Sequence, residues 1–203
     1  MIMGGYNFPA TGGFVPPEMP GHSAGIGLPY DPGQARQLLA AAGYPGGRGL
    51  ADVGCVTNRG QLPYAEYLQA QWRENLGVEI ACEGMEWATY IDRLNREPPH
   101  LYVGGWLADY PDPDSFLRMF SIRRWSGWRN RTYDGLIEKA RSVLDQGKRI
   151  KLYRQADRIL IEEAVIVPLT YGQYHLLVKP WVRKYPISAL GDWFWKDVVI
   201  ERH

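Results

Sequence analysis

The stretch Gly104–Phe116 reads GGWLADYPDPDSF and sets Asp109, Asp112 and Asp114 close together beside a Trp and two prolines. Carboxylates at this density can ligate a hard cation, exchange protons with a substrate, start a helix, or meet a positive charge on a ligand. A calcium loop needs a turn-forming Gly and a closing Glu, whereas here Pro111 and Pro113 fix the backbone. Acid–base or glycosidic chemistry needs a complementary nucleophile or orienting group. His22, His100, His175 and His203 are scattered, and no Ser-His-Asp or Cys-His arrangement is readable. Asp112-Pro113-Asp114 instead reads as a helix start, with Asp112 as N-cap, Pro113 in the first turn and Asp114 at the positive end of the dipole. Asp109 is left over. It directly follows an apolar run, at the end where open α/β sheets bind ligands. It is therefore a candidate partner for a ligand cation, with a local structural carboxylate as the alternative. Trp106, three residues earlier, would wall a pocket, and Gly104 and Gly105 would leave main chain open to an extended ligand.

The elements that must position these residues can be read in chain order. Residues 4–29 are rich in Gly and Pro and predict irregular chain that packs on something else. Asp31 and Pro32 open a helix whose apolar face is Ala35, Leu38, Leu39 and Ala42, closed by Gly43 and Pro45. Leu50–Asn58 reads as a strand, Leu62–Gly77 as a helix, Val78–Met85 as a strand, Glu86–Arg96 as a helix, and His100–Ala108 as a buried strand. This alternation predicts βαβ crossovers and a mainly parallel sheet. Beyond it, residues 123–131 (RRWSGWRNR) read as a loop, and Tyr133–Leu144 and Lys148–Ala164 as amphipathic helices. Asn130 or Thr132 can cap the first of these. Val165–Tyr171, Tyr174–Val182 and the C-terminal WKDVVIERH are strand-like.

Composition narrows the partners. The 203 residues carry 23 basic and 22 acidic side chains, a formal net charge of +1, which argues against a general attraction to nucleic acid or an anionic membrane. Arg123, Arg124, Arg129 and Arg131 around Trp125 and Trp128 could stack on and neutralise a nucleic acid, but a solvated loop with Trp anchors or one Arg meeting a ligand carboxylate fits the charge balance better. Eight Trp and 13 Tyr suit binding surfaces as well as cores. No apolar run approaches the ~20 residues of a membrane span, and the start lacks the basic and apolar regions of a secretory signal. Cys55 and Cys82 are expected to be buried free thiols. No metal or cofactor is expected.

The order of motifs resembles the extracellular solute-binding proteins of family 5, the dipeptide- and oligopeptide-binding components of ABC importers. The stretches that carry the likeness are YDPGQARQLLAAAGYPGG, YAEYLQAQWRENLGVEIACEGMEWATYIDRL, LYVGGWLADYPDPDSFLRMF, NRTYDGLIEKARSVLD and RIKLYRQADRILIEEAVIVPLTYGQYHLLVKPWV. NRTYDGL departs from the family pattern by placing Arg131 where a Pro is usual. The resemblance implies a periplasmic-binding-protein-like α/β lobe over residues 30–182, with a lead-in at 1–29 and a tail at 183–203 returning toward a second lobe. It implies one C-terminal lobe of two, without the N-terminal lobe, signal peptide or lipid-anchoring Cys. It implies no catalysis, a peptide or similar small solute as ligand, and a membrane permease as partner of the parent protein in a periplasmic or cell-surface setting. The Asp of the GW..DY motif pairs with a peptide's α-ammonium in that family, and Asp109 matches it. Gly104, Gly105, Trp106, Leu107 and Tyr110 complete the implied contacts. An isolated lobe would expose part of the Trp181, Trp193 and Trp195 cluster and tend to self-associate. Rival expectations are a small α/β hydrolase and an interaction domain that has lost its ligand.

Overall fold

The computed structural model describes residues 7–118, 120–173, 175–185, 187–188 and 194–202. In chain order the elements are β1 (Phe8–Pro9), α1 (Pro32–Ala41), β2 (Cys55–Asn58), α2 (Leu62–Leu76), β3 (Cys82–Met85), α3 (Trp87–Arg96), β4 (Leu101–Val103), α4 (Asp114–Leu117), α5 (Phe120–Ser126), α6 (Arg131–Ser142), α7 (Gln146–Glu162), β5 (Thr170–Tyr171), β6 (Val182–Lys184) and β7 (Val199–Ile200).

Helix ends follow local chemistry. The Asp31 carboxylate accepts from the Gln34 amide and Pro32 opens α1. Gly77 closes α2 in the left-handed region at φ 67°, which a side chain would resist. Asn130 caps α6 through the Tyr133 amide, and Asp145 caps α7 through Lys148. The apolar face expected of α1 is not buried, and Leu38 stays 64% exposed. Periodicity shows that a helix has an apolar face, but not that this chain supplies a surface to cover it.

The sheet is parallel, in the order β3-β2-β4. Central β2 alternates its side chains between two layers. Val56 packs with Tyr90 and Leu94 of α3. Tyr64 and Ala65 of α2 cluster with Val103, with Leu68, Cys82 and Leu169 packed against them. The strands are shorter than their apolar runs: β2 begins at Cys55, with Gly54 still accepting from the Leu101 amide, and β4 ends at Val103.

Cys55 and Cys82 are joined in a disulfide, not free. The parallel register sets Cys55 directly opposite Cys82 with Cα atoms 4.4 Å apart, within bridging range. Which residues face each other across two strands is a property of register, and each Cys viewed alone does not carry it.

A second core joins α4–α7 and the lead-in, through Val15, Phe116, Leu117, Ile122, Tyr133, Ile137, Tyr153 and Leu160 among others. The lead-in is tied down along its length. β1 pairs antiparallel with β5, and the Tyr171 hydroxyl donates to the Gly13 carbonyl at 2.6 Å. The Phe14 amide donates to the fully buried Asp157 carboxylate of α7 at 2.8 Å. Burial pushes the Asp157 carboxyl above its ordinary range, while the Phe14 amide works against that shift. Gly13 has to be small here, since a Cβ would lie 1.9 Å from an Asp157 oxygen. Tyr64 of α2 meets both Asn7 and Thr170, linking the sheet to the β1–β5 pair.

Reducing the disulfide, or replacing both cysteines with Ser, is expected to lower unfolding free energy by about 3 kcal/mol, because it releases a 27-residue closure. Denaturant melts with and without reductant measure this. Gly13→Ala is expected to cost about 1–3 kcal/mol by overpacking against Asp157, read by the same melts.

Candidate functional site

Parallel strands end at one edge, so β2, β3 and β4 bring their succeeding loops to the same place. After β2 come Arg59–Gln61, after β3 come Glu86 and Trp87, and after β4 come Gly104–Trp106. Arg59 and Glu86 pair at 2.8 Å across two of these ends, but both are well exposed and the pair contributes little stability. Trp87 is 63% exposed and leans on Tyr90. The Tyr90 hydroxyl donates to the Val103 carbonyl at 3.2 Å and lies 2.8 Å from where a Cβ on Gly104 would be. A side chain at 104 would displace Tyr90 and disturb the end of β4.

Residues 104–110 form a loop, not the continued strand expected from the apolar run. Trp106 and Asp109 are therefore brought together by loop contacts and not by strand alternation. The Trp106 indole donates to the Ser115 carbonyl at 3.0 Å and the ring packs half-buried on the helical core. The Asp109 amide donates to the Ser115 hydroxyl at 2.9 Å. The Asp109 side chain is exposed, and among the described residues no donor or cation pairs with its carboxylate. Leu107 is also exposed. The Tyr110 hydroxyl turns back to donate to Asp114 at 2.9 Å and accept from Arg118 at 3.2 Å.

The other two acids face the protein. α4 starts one residue later than expected, with Pro113 and not Asp112 as its N-cap, although the Asp112 carboxylate still accepts from the Asp114 amide at 2.9 Å. The same carboxylate takes a two-pronged contact from Arg149 at 2.6 and 2.8 Å. Asp114 accepts from Tyr153, Arg118 and Tyr110 at 2.7–2.9 Å. Burial alone would raise its pKa, but those three donors outweigh burial and hold the carboxyl below its ordinary value. Among the described residues no three His, Cys, Asp or Glu side chains gather as a metal site.

Residues 123–131 are not wholly the loop expected of them, because α5 extends through Ser126. Their side chains turn to the protein. Arg123 pairs with Asp134, the Trp125 indole donates to Asn95, the Trp128 indole donates to Glu163, and Arg129 donates to the Arg123 and Trp128 carbonyls. Those tertiary partners favour helix where Arg, Trp, Ser and Gly predict little by themselves. Trp193 lies outside the described residues, and Trp195 is 67% exposed.

Sequence reasoning misses Ser115, Trp87, Arg118, Arg149 and Tyr153. Arg118, four residues after Asp114, and the Arg149–Tyr153 pair on one face of α7 are visible as helical spacing. That Arg149 meets an acid 37 residues away is not.

Asp114→Asn is expected to cost about 1.5–3 kcal/mol at neutral pH by weakening charge-assisted hydrogen bonds. Because the folded carboxyl titrates below its unfolded value, its contribution is full above the ordinary carboxylate range and fades as pH falls through the lower folded value. Unfolding free energies of the two proteins should therefore differ by a constant amount above about pH 5 and converge below about pH 4.

Comparison with known proteins adds a second line. The family model described as bacterial extracellular solute-binding proteins, family 5 Middle, matches residues 1–128. The probable deoxycholate-binding periplasmic protein YgiS of Escherichia coli is 31% identical over 221 residues, covering 98% of this chain and 39% of that protein. Di/tripeptide-binding protein 1 of Pseudomonas aeruginosa is 32% identical over 80% of this chain and 32% of its own length. Among solved structures, the murein tripeptide binding protein MppA of Escherichia coli superposes with a TM-score of 0.80 at 26% identity, covering 100% of this chain and 42% of its own. A periplasmic oligopeptide-binding protein of Borrelia burgdorferi gives 0.72 at 30% identity, covering 81% of this chain and 34% of its own. The chain thus spans between about a third and two fifths of the length of these relatives.

Proposed function

The chain belongs to the bacterial extracellular solute-binding proteins of family 5, and from that premise we propose that it forms the C-terminal lobe of a receptor that captures peptides for an ABC importer. The observation that carries this reading is the Asp109 carboxylate. It stands exposed at the ligand edge of the sheet without a protein partner among the described residues, while both neighbouring acids are neutralised by Arg149 and Arg118. Its role is to pair with the α-ammonium of a peptide, a contact that strengthens when a closing cleft excludes water. An unpaired negative charge disfavours an anionic ligand at this position, so the peptide-binding relatives are the better guide than the bile-acid one. In this reading Trp106, Leu107, Tyr110 and the Gly104–Gly105 main chain would contact the ligand, with the exposed Trp87 at the same sheet edge. The relatives are named as binding proteins, which supports the same reading.

In this reading residues 30–182 are the lobe, 1–29 lead into it, and 183–203 return toward the other lobe. Hinge closure of two lobes around the ligand is the working motion, with delivery to a membrane permease after it. Exposed apolar side chains support a neighbouring lobe. Apolar side chains left open near the end, including Leu177, Trp195 and Ile200, suit burial against that neighbour and, in the isolated chain, self-association. The Cys55–Cys82 disulfide supports an oxidising, periplasmic or cell-surface setting.

The test uses the two-lobed protein and calorimetric titration with trialanine and N-acetyl-trialanine. Asp109→Asn should weaken the free-amine peptide by about 1.5–3 kcal/mol, roughly tenfold to a hundredfold, and barely change the acetylated one. Equal weakening of both would exclude the ammonium role.

A further inference from the structure

We infer that Ser115 is a positioning residue for the binding loop, presenting Asp109 and Trp106 together; this rests on the reading of Asp109 as the ammonium partner. Ser115 is buried at the start of α4 and touches the loop twice. Its hydroxyl accepts from the Asp109 amide at 2.9 Å, and its carbonyl accepts from the Trp106 indole at 3.0 Å. One residue thereby sets the spacing between the acid and the aromatic wall.

Ser115 can do this because its own position is over-determined. Its amide donates to the Asp112 carbonyl at 3.0 Å. On one side Asp114 is clamped by Tyr153, Arg118 and Tyr110. On the other, Phe116 meets Phe14 edge-to-face at 5.4 Å. The loop it holds has no ladder of its own, since β4 ends at Val103 and two glycines follow. Without an anchor, Gly104 and Gly105 would allow the acid to wander. Tying back the Asp109 amide leaves its carboxylate as the group offered outward. The two anchors differ in kind, because the Trp106 contact uses main chain and survives a change of side chain at 115. The Asp109 contact uses the hydroxyl and does not.

Amide exchange followed by NMR in the full 203-residue chain reads the first half. Asp109 lies outside every helix and strand, yet its amide should exchange at least tenfold more slowly than that of Leu107. Ser115→Ala should abolish that protection while the Trp106 indole proton stays protected, and Ser115→Thr, which keeps the oxygen, should restore it. An Asp109 amide that exchanges as fast as Leu107 in the unsubstituted chain overturns the inference without any variant. In the two-lobed protein, Ser115→Ala should reduce the preference for trialanine over N-acetyl-trialanine about fivefold, and Ser115→Thr should recover it. An unchanged preference overturns positioning. No preference in the unsubstituted protein overturns instead the ammonium reading itself, and Ser115's role with it.

Discussion

Asp114 is a carboxylate that the fold takes almost entirely out of water, and the rest of the candidate site depends on how it is satisfied. A buried carboxylate persists in its charged form only if donors surround it. Here Tyr153 comes from α7, Arg118 from the end of α4 and Tyr110 from the loop before it. Those three contacts hold three pieces of chain in one arrangement. Asp112, bound by Arg149 from the same helix α7, repeats the constraint two residues earlier. The acidic stretch is therefore a joint between the 104–110 loop and the helical core.

This joint explains why, among the described residues, only Asp109 of the three neighbouring acids lacks a partner. Desolvation makes an unpaired charge costly inside and cheap at the surface. Asp112 and Asp114 sit where the helix starts and the core begins, so they must be paired. Asp109 sits where the chain crosses the open edge, so it need not be. The rigidity on one side also allows freedom on the other. A loop that begins with two glycines can hold a carboxylate in one place only if its far end is fixed, and Pro111, Pro113 and the Asp114 contacts supply that fixity.

The lead-in follows the same logic at a distance. Residues 8–28 have almost no regular structure, yet they are held by β5, by Asp157 and by Phe116. One helix thus serves both segments: α7 carries Arg149 and Tyr153 toward the acidic stretch and Asp157 toward the lead-in.

The information readable from residue order is local. Caps, proline and glycine punctuation and apolar spacing mark α1, α2, α3, α6 and α7 within a few residues, and the alternation of elements predicts the parallel sheet. The short helix after the acidic stretch is legible to within one residue for the same reason: its start depends on residues within a turn of each other. Packing settles the rest. The apolar run after His100 reads as strand to Ala108, but β4 spans only Leu101–Val103 and a loop follows it, held by contacts to Ser115. Cys55 and Cys82, each taken separately, look like buried thiols, but register brings them opposite each other. The Arg149–Asp112 contact joins residues 37 apart, and the Phe14–Asp157 contact joins residues 143 apart. Such pairings are set by where whole elements pack, and the free energy that selects them is spread over the buried core and not written in any one stretch.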